Sequence, residues 1–202
     1  MCKGVLMKTL IVYGSPDKDG TGSRLGKSLV AGLGSEQAEI KEINIYDYNV
    51  TDVWPDYFGD ALKGDFSKAG NDDMATLKEM MLSADIIILV SPVYWYQLSG
   101  KLKTYVDRFS DFINSDFSSD LAGKGLALAS THSGLNVMNS SNYLQLAMEA
   151  TARFLGMIWM GGVEAPINLP GGSGPHESHF MLAEDFGRKL GRGENLLGIK
   201  AL

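Results

Sequence analysis

Apolar residues along this chain switch between two spacings. Leu10 to Tyr13 and Ile86 to Val90 are short, almost wholly apolar runs rich in β-branched side chains, the pattern of strands buried on both faces of a sheet. Between them, Leu25, Leu29, Val30 and Leu33 recur at helical spacing, so the first strand passes through a loop at Gly14 to Gly22 into a helix. Glu39 to Ile45 alternates as a second strand would. Met74, Leu77 and Met81 share one helical face, with Asp72 or Asp73 suited to cap it. Ser91-Pro92 ends the third strand, because proline cannot donate to a ladder. Leu98, Leu102, Val106, Phe109 and Ile113 then mark another helix, with Ser99 at its N-cap. Gly125 to Ala129 predicts a fourth strand, and Leu144, Met148, Thr151 and Leu155 the helix after it. Met157 to Val163 predicts a fifth strand, and Phe180 to Leu190 a last helix.

Five strands alternating with helices imply a doubly wound α/β domain. Consecutive parallel strands need right-handed crossovers, so the sheet carries helices on both faces. The strand order 2-1-3-4-5 is expected over that of a nucleotide-binding Rossmann sheet because the loops lack a dinucleotide fingerprint. One domain over residues 1–202 is expected, with two departures from the alternation. Residues 46–70 carry Trp54, Pro55, Tyr57, Phe58 and Phe66 among Asp and Gly, too apolar for a disordered linker. That excursion is either a flap folded on its own domain, or a subunit contact or wall over a neighbouring active site. From Pro166 to Glu177 the chain is rich in Gly and Pro and reads as an irregular surface extension.

Composition narrows the classes. With 202 residues, 45% of them hydrophobic, the chain can bury a real core. A net charge of −6 with no basic run argues against nucleic acid. Cys2 is the single cysteine, which excludes an intrachain disulfide and a self-contained iron–sulfur or cysteine-based zinc site. No apolar run approaches the roughly 20 residues of a membrane span, so a cytoplasmic protein without a membrane partner is expected.

The candidate chemistry lies in three loops. The first, Gly14-Ser15-Pro16-Asp17-Lys18-Asp19-Gly20-Thr21-Gly22-Ser23-Arg24, has the make-up of a monophosphate cradle. Its small residues let backbone amides approach an anion, Ser15, Thr21 and Ser23 offer hydroxyls, and the following helix points its dipole end there. A dinucleotide fingerprint fails because Gly20, Gly22 and Gly26 have the wrong spacing. A nucleotidase P-loop fails because Thr21 stands where a glycine belongs, five residues before Gly26-Lys27-Ser28. A plain turn with Ser23 as N-cap remains open. The second loop, Pro92-Val93-Tyr94-Trp95-Tyr96, can line a flat conjugated ligand, or its rings can roof the core. The third, Ser130-Thr131-His132-Ser133-Gly134, follows strand four. Parallel topology brings all three to one edge, where a phosphate cradle, an aromatic platform and backbone donors together suit FMN. His132 beside a reduced flavin could stabilise its charge.

These residues resemble the NAD(P)H-dependent FMN reductases, the family that includes iron–sulfur flavoproteins and quinone and azo-dye reductases. The likeness is carried by Gly14-Ser15-Pro16 with Gly22-Ser23, by Ser91-Pro92-Val93-Tyr94-Trp95, and by Leu102-Lys103-Thr104-Tyr105-Val106-Asp107-Arg108, and runs over about Met7 to Val163. It implies a flavodoxin-like fold and non-covalent FMN. The phosphate would lie on Ser15, Thr21, Gly22, Ser23, Arg24 and nearby amides, the ring beside Pro92, Val93, Tyr94, Trp95 and Tyr96, and the polar edge near Thr131, His132, Ser133 and Gly134. It also implies a homodimer or homotetramer with active sites at subunit contacts. Asp17 departs from the family, which often has a basic residue there; a carboxylate beside phosphate must point outward, with Lys18 or Arg24 compensating. The cluster cysteines are absent from 46–70, placing the chain in the flavin-only branch.

The activity expected is that of an NAD(P)H oxidoreductase, taking NADH or NADPH and a small acceptor such as a quinone, azo compound or free flavin. No catalytic constellation is expected from the protein, since the flavin carries the chemistry. The alternative is a flavodoxin-like electron carrier without nicotinamide turnover. His176-Glu177-Ser178-His179 lacks a convincing third ligand, and no metal is expected.

Overall fold

The computed structural model describes residues 6–133, 141–167 and 174–195. Lys8–Tyr13 (β1) is followed by Thr21–Ser35 (α1) and Glu39–Asn44 (β2); a short helix, Tyr57–Leu62 (α2), lies in the excursion. Met74–Ser83 (α3), Ile86–Pro92 (β3), Gly100–Asp107 (α4), Gly125–His132 (β4), Asn142–Phe154 (α5), Ile158–Pro166 (β5) and Glu177–Gly191 (α6) complete the order. All sheet pairings are parallel, in the order β2-β1-β3-β4-β5. The expected doubly wound topology is therefore what the chain adopts.

Strand alternation sorts the core into two layers. Leu10, Val12, Ile87, Leu89, Leu126 and Leu128 face α3, α4 and α5, whereas Ile11, Ile86, Ile88, Ala127 and Ala129 face α1 and α6. Helix α1 crosses α6 closely because both carry glycine at the contact. A Cβ on Gly32 would collide with the Glu184 carbonyl, and one on Gly187 with the Leu29 carbonyl. Gly26 serves similarly inside α1, where a Cβ would meet the Tyr13 ring. Gly26 is thus a packing residue.

Residues 46–70 fold back on their own chain. Arg108, at the end of α4, is 1% exposed. Its Nη1 bonds Asp72 Oδ2 at 2.6 Å and the Thr51 carbonyl at 3.2 Å, and its Nη2 bonds Asp111 Oδ2 at 2.8 Å. The guanidinium lies 5.4 Å from the Trp54 ring centroid and 5.6 Å from that of Tyr57, whose hydroxyl donates to Asp111. Burial alone would lower the Arg108 pKa, but the bonds to Asp111 and Asp72 outweigh it and raise it above the ordinary arginine value. The segment is therefore clasped to its own chain.

Capping differs in detail from expectation. Asp72, one residue outside the N-cap of α3, accepts the Met74 amide at 3.2 Å, while Asp73 accepts that of Asn49. Ser99 is the N-cap of α4, yet its hydroxyl donates to the Gly14 carbonyl at 2.5 Å.

Candidate functional site

The ends of β1, β3 and β4 are stitched into one edge. The Gly14 amide donates to the Val90 carbonyl at 2.7 Å, and the Val93 amide to the Thr131 carbonyl at 2.7 Å. Ser91 Oγ accepts the Ser99 amide at 3.1 Å, and Ser99 in turn holds Gly14. Gly14 has no room for a side chain, since a Cβ there would sit 2.6 Å from Leu102 Cδ2. The start of α1 reaches the same edge: a Cβ on Gly22 would stand 3.8 Å from Thr131 Oγ1. The three predicted segments therefore converge.

The start of α1 is free of side-chain caps and of acidic residues. Gly20 occupies the N-cap with no side chain to offer, and the first turn of α1 holds no acidic residue. The sequence pattern places Gly14 to Gly22 in the loop; instead α1 begins at Thr21, so Thr21 and Gly22 belong to its first turn. Ser23 is not the N-cap; it is buried two residues into the helix and donates to the Asp17 carbonyl at 2.8 Å. Ser15 Oγ accepts the Asp17 amide at 3.2 Å. Both hydroxyls thus shape the cradle, leaving Thr21 and the first-turn amides as its free-standing donors. The expected charge compensation is not what is found. Asp17 curls over its own loop to accept the Asp19 amide at 3.0 Å, Lys18 pairs with Asp47 at 3.5 Å, and the Arg24 guanidinium stacks 4.4 Å above the Phe180 ring on α6.

The aromatic loop does not roof the core. Tyr94 and Gln97 exchange backbone hydrogen bonds of 3.1 and 2.9 Å, closing a tight turn with Trp95 and Tyr96 at its corner. Both corner residues lie in the left-handed region, with φ of 49° and 65°. For side chains of this size that conformation is strained, and such strain clusters at ligand clamps. The turn leaves Trp95 92% exposed, while Tyr96 makes an edge contact with Tyr143 at 5.6 Å. A cavity of about 240 Å³ opens here, lined by Val93, Trp95, Tyr96, His132 and Ser133.

Strand β4 runs three residues further than expected, so Ser130, Thr131 and His132 are strand residues, all buried. Ser133 follows the strand, and Gly134 lies outside the described residues. Among the described residues neither ring nitrogen of His132 has a hydrogen-bond partner, although the residue is only 7% exposed. Glu164 on β5, absent from the sequence-based candidates, places Oε2 at 3.8 Å from His132 Nε2, an ion-pair distance too long for a hydrogen bond. His176 and His179 stack at 6.3 Å, and the described residues contain no group of three or more metal-ligating side chains.

The model of the NADPH-dependent FMN reductases matches residues 7–169. The chain belongs to that family. An iron–sulfur flavoprotein of Archaeoglobus fulgidus is 30% identical over 103 residues, half of this chain and 45% of the relative. YwqN of Bacillus subtilis is 30% identical over 104 residues, covering 57% of its length. The chain thus spans about half the length of these curated relatives. An NAD(P)H:quinone oxidoreductase from Methanothermobacter marburgensis shares the fold at 16% identity, with a TM-score of 0.69 over 92% of this chain and 98% of that one.

An FMN fits what this family member presents. An acid-free helix start suits its phosphate, the out-turned aromatic loop its ring, and the unpartnered His132 a polar edge.

Proposed function

We propose that this protein is an FMN-dependent NAD(P)H oxidoreductase that passes hydride from NADPH or NADH through bound FMN to a small acceptor such as a quinone, an azo compound or free flavin. One observation carries the reading: the uncapped start of α1 and the strained aromatic turn meet on the same hydrogen-bonded edge. The phosphate is held by Thr21, Gly22 and the first-turn amides within a loop braced by Ser15 and Ser23. Arg24 lies nearby on α1, with its charge over Phe180. Pro92, Val93, Tyr94, Trp95 and Tyr96 flank the ring, with Thr131, His132 and Ser133 toward its polar edge. FMN, when bound, supplies the hydride relay, and the chain positions it and excludes competing partners.

The reading is tested by heat release and chromatography of the flavin, followed by anaerobic mixing of the FMN-loaded protein with each nicotinamide. FMN released intact and bleached by NADH or NADPH supports it. Release of FAD overturns it. A failure of both nicotinamides, with a stable one-electron state on dithionite, identifies an electron carrier instead.

We also propose a homodimer or homotetramer in the cytoplasm. Leu146 and Phe154 on α5 are 62% and 72% exposed, and Phe154 borders a groove of about 420 Å³ whose lining includes Lys103, Asp107, Ala147 and Ala150. No helix among the described residues is long and apolar enough to cross a membrane. Sedimentation at micromolar concentration tests the assembly, and a strict monomer overturns it.

A further inference from the structure

We propose that Glu164 is a positioning residue for His132, and that the pair delivers the proton which a quinone-type acceptor needs, drawing it from solvent along the open edge of β5. The inference rests on the oxidoreductase reading above. Reducing a quinone to a hydroquinone takes two electrons and two protons. One proton arrives with the electron pair as hydride, which oxidises NAD(P)H to NAD(P)⁺, and the other must come from an acid. His132 stands where such an acid is needed.

His132 is the shared wall of two cavities. One is the candidate flavin cavity with Val93, Trp95, Tyr96 and Ser133. The other, about 470 Å³, runs along the edge of β5 beneath α6, bounded by Glu164, Pro166, His179, Asp185 and Lys189 among others. A buried imidazole with neither nitrogen hydrogen-bonded is costly unless a ligand or a travelling proton uses it. Sheet geometry supplies its partner. Ser130 pairs with Glu164 in the β4–β5 register, so Glu164 shares a face with Ser130 and His132 and reaches His132 diagonally.

Glu164 is itself fixed. Ser141, the N-cap of α5, does not cap the helix's own amides with its side chain; its amide donates to Glu164 Oε2 at 3.1 Å and its hydroxyl donates to the same oxygen. Gln145 Nε2 braces the Ser141 hydroxyl at 3.0 Å. The carboxylate thus caps α5 from a neighbouring strand, at the positive end of the helix, where a negative charge is favoured. At 3.8 Å the fixed carboxylate acts on the imidazole through its charge rather than through a hydrogen bond, favouring the Nε2–H tautomer and leaving Nδ1 to exchange the proton. The charged groups around the pair are Glu164 on β5 and His179, Asp185 and Lys189 on α6, with Lys189 paired to Asp185 at 3.1 Å.

The test compares acceptors that differ only in their need for a proton. Ferricyanide takes electrons alone, whereas a benzoquinone takes protons as well. In Glu164→Gln, which keeps an acceptor for Ser141, the ratio of quinone to ferricyanide kcat falls roughly tenfold, and in His132→Asn roughly a hundredfold. A second readout needs neither turnover nor flavin. The chain has three histidines, so ¹⁵N spectra of the FMN-free protein resolve each ring. The wild type shows His132 with its Nε2–H tautomer dominant, and Glu164→Gln mixes the tautomers. Equal losses with both acceptors and an unchanged His132 tautomer mean that Glu164 only caps α5, which overturns the proposal while leaving the oxidoreductase standing. No oxidation of NAD(P)H with either acceptor in the wild type instead overturns the reading on which it rests.

Discussion

Residues 46–70 and the loop 93–98 are the two aromatic-rich interruptions of the alternation, and they end in opposite places. In the first, Tyr57 is 7% exposed and Trp54 bonds Asp60, with both rings beside a buried guanidinium. In the second, Trp95 is 92% exposed on a strained corner. Aromatic content alone does not separate the cases. A buried charge with two carboxylates within reach pins one segment to the core, whereas the other closes its turn by the Tyr94–Gln97 backbone bonds and touches the rest of the chain through Val93 and the Tyr96 ring. The first is held by a buried ion-pair clasp, and the second presents its corner ring to solvent.

Arg108→Met attacks that difference most strongly. It strands Asp72 and Asp111 without their cation, which should cost about 3–5 kcal/mol in chemical denaturation. Residues 46–70 should become the first site of limited proteolysis, while the loop at 93–98 is cut as before. A loss below about 1 kcal/mol would show that the clasp is not what holds the segment.

Trp95→Ala is the converse test. Its ring is almost fully in solvent, so stability should move by no more than about 0.5 kcal/mol. Reduction of bound FMN should slow by up to about tenfold, because a stacking contact contributes about 0.5–1.5 kcal/mol to holding a planar partner. A large fall in melting temperature would mean that this turn, too, is part of the core.

Trp95→Gly sharpens the point at lower amplitude. Relief of the left-handed backbone is worth about 1–2 kcal/mol, offset by glycine's extra chain entropy of about 0.5–1 kcal/mol. The variant should be more stable than Trp95→Ala by about 0.5–1 kcal/mol, read from denaturation midpoints. Equal stabilities would show that the positive φ carries no strain.

The sheet and its order were legible because Leu10–Tyr13 and Ile86–Val90 admit no other reading, and the loops converge by topology. Much of the rest lay in polar residues whose partners are distant in sequence. Arg108 meets Asp72 and Thr51 across 36 and 57 positions, so a basic residue at the end of an amphipathic helix gave no sign of being a core clasp. Ser130, Thr131 and His132 read as loop because they are polar, yet they are buried strand residues facing the site edge. Ser15 and Ser23 were recognised as cradle residues, but their bonds to the Asp17 backbone depend on how the loop folds. Glu164 escaped notice because the apolar run that marks β5 stops at Val163. The signal available was one acidic residue between Val163 and Ala165, at a strand end beside the candidate edge.

The smallest effect belongs to the outer rim of the clasp. Asp60 Oδ2 accepts Lys68 Nζ at 2.7 Å and Trp54 Nε1 at 2.9 Å, and these bonds, the lysine's first, hold its carboxyl below the usual carboxylate value. A depressed folded pKa contributes stability that is fully present above the ordinary aspartate value and disappears as pH falls through the folded one. Acidification below about pH 4 should therefore loosen Trp54 before the sheet responds, seen as a change in tryptophan fluorescence ahead of the loss of far-ultraviolet circular dichroism. Asp60→Asn should remove that early step and leave the exposed Trp95 signal untouched, since nothing at the 93–98 turn depends on this carboxylate. An early fluorescence change that persists in Asp60→Asn and vanishes in Trp95→Phe would place the acid-sensitive tryptophan at the turn, reversing the contrast between the two regions.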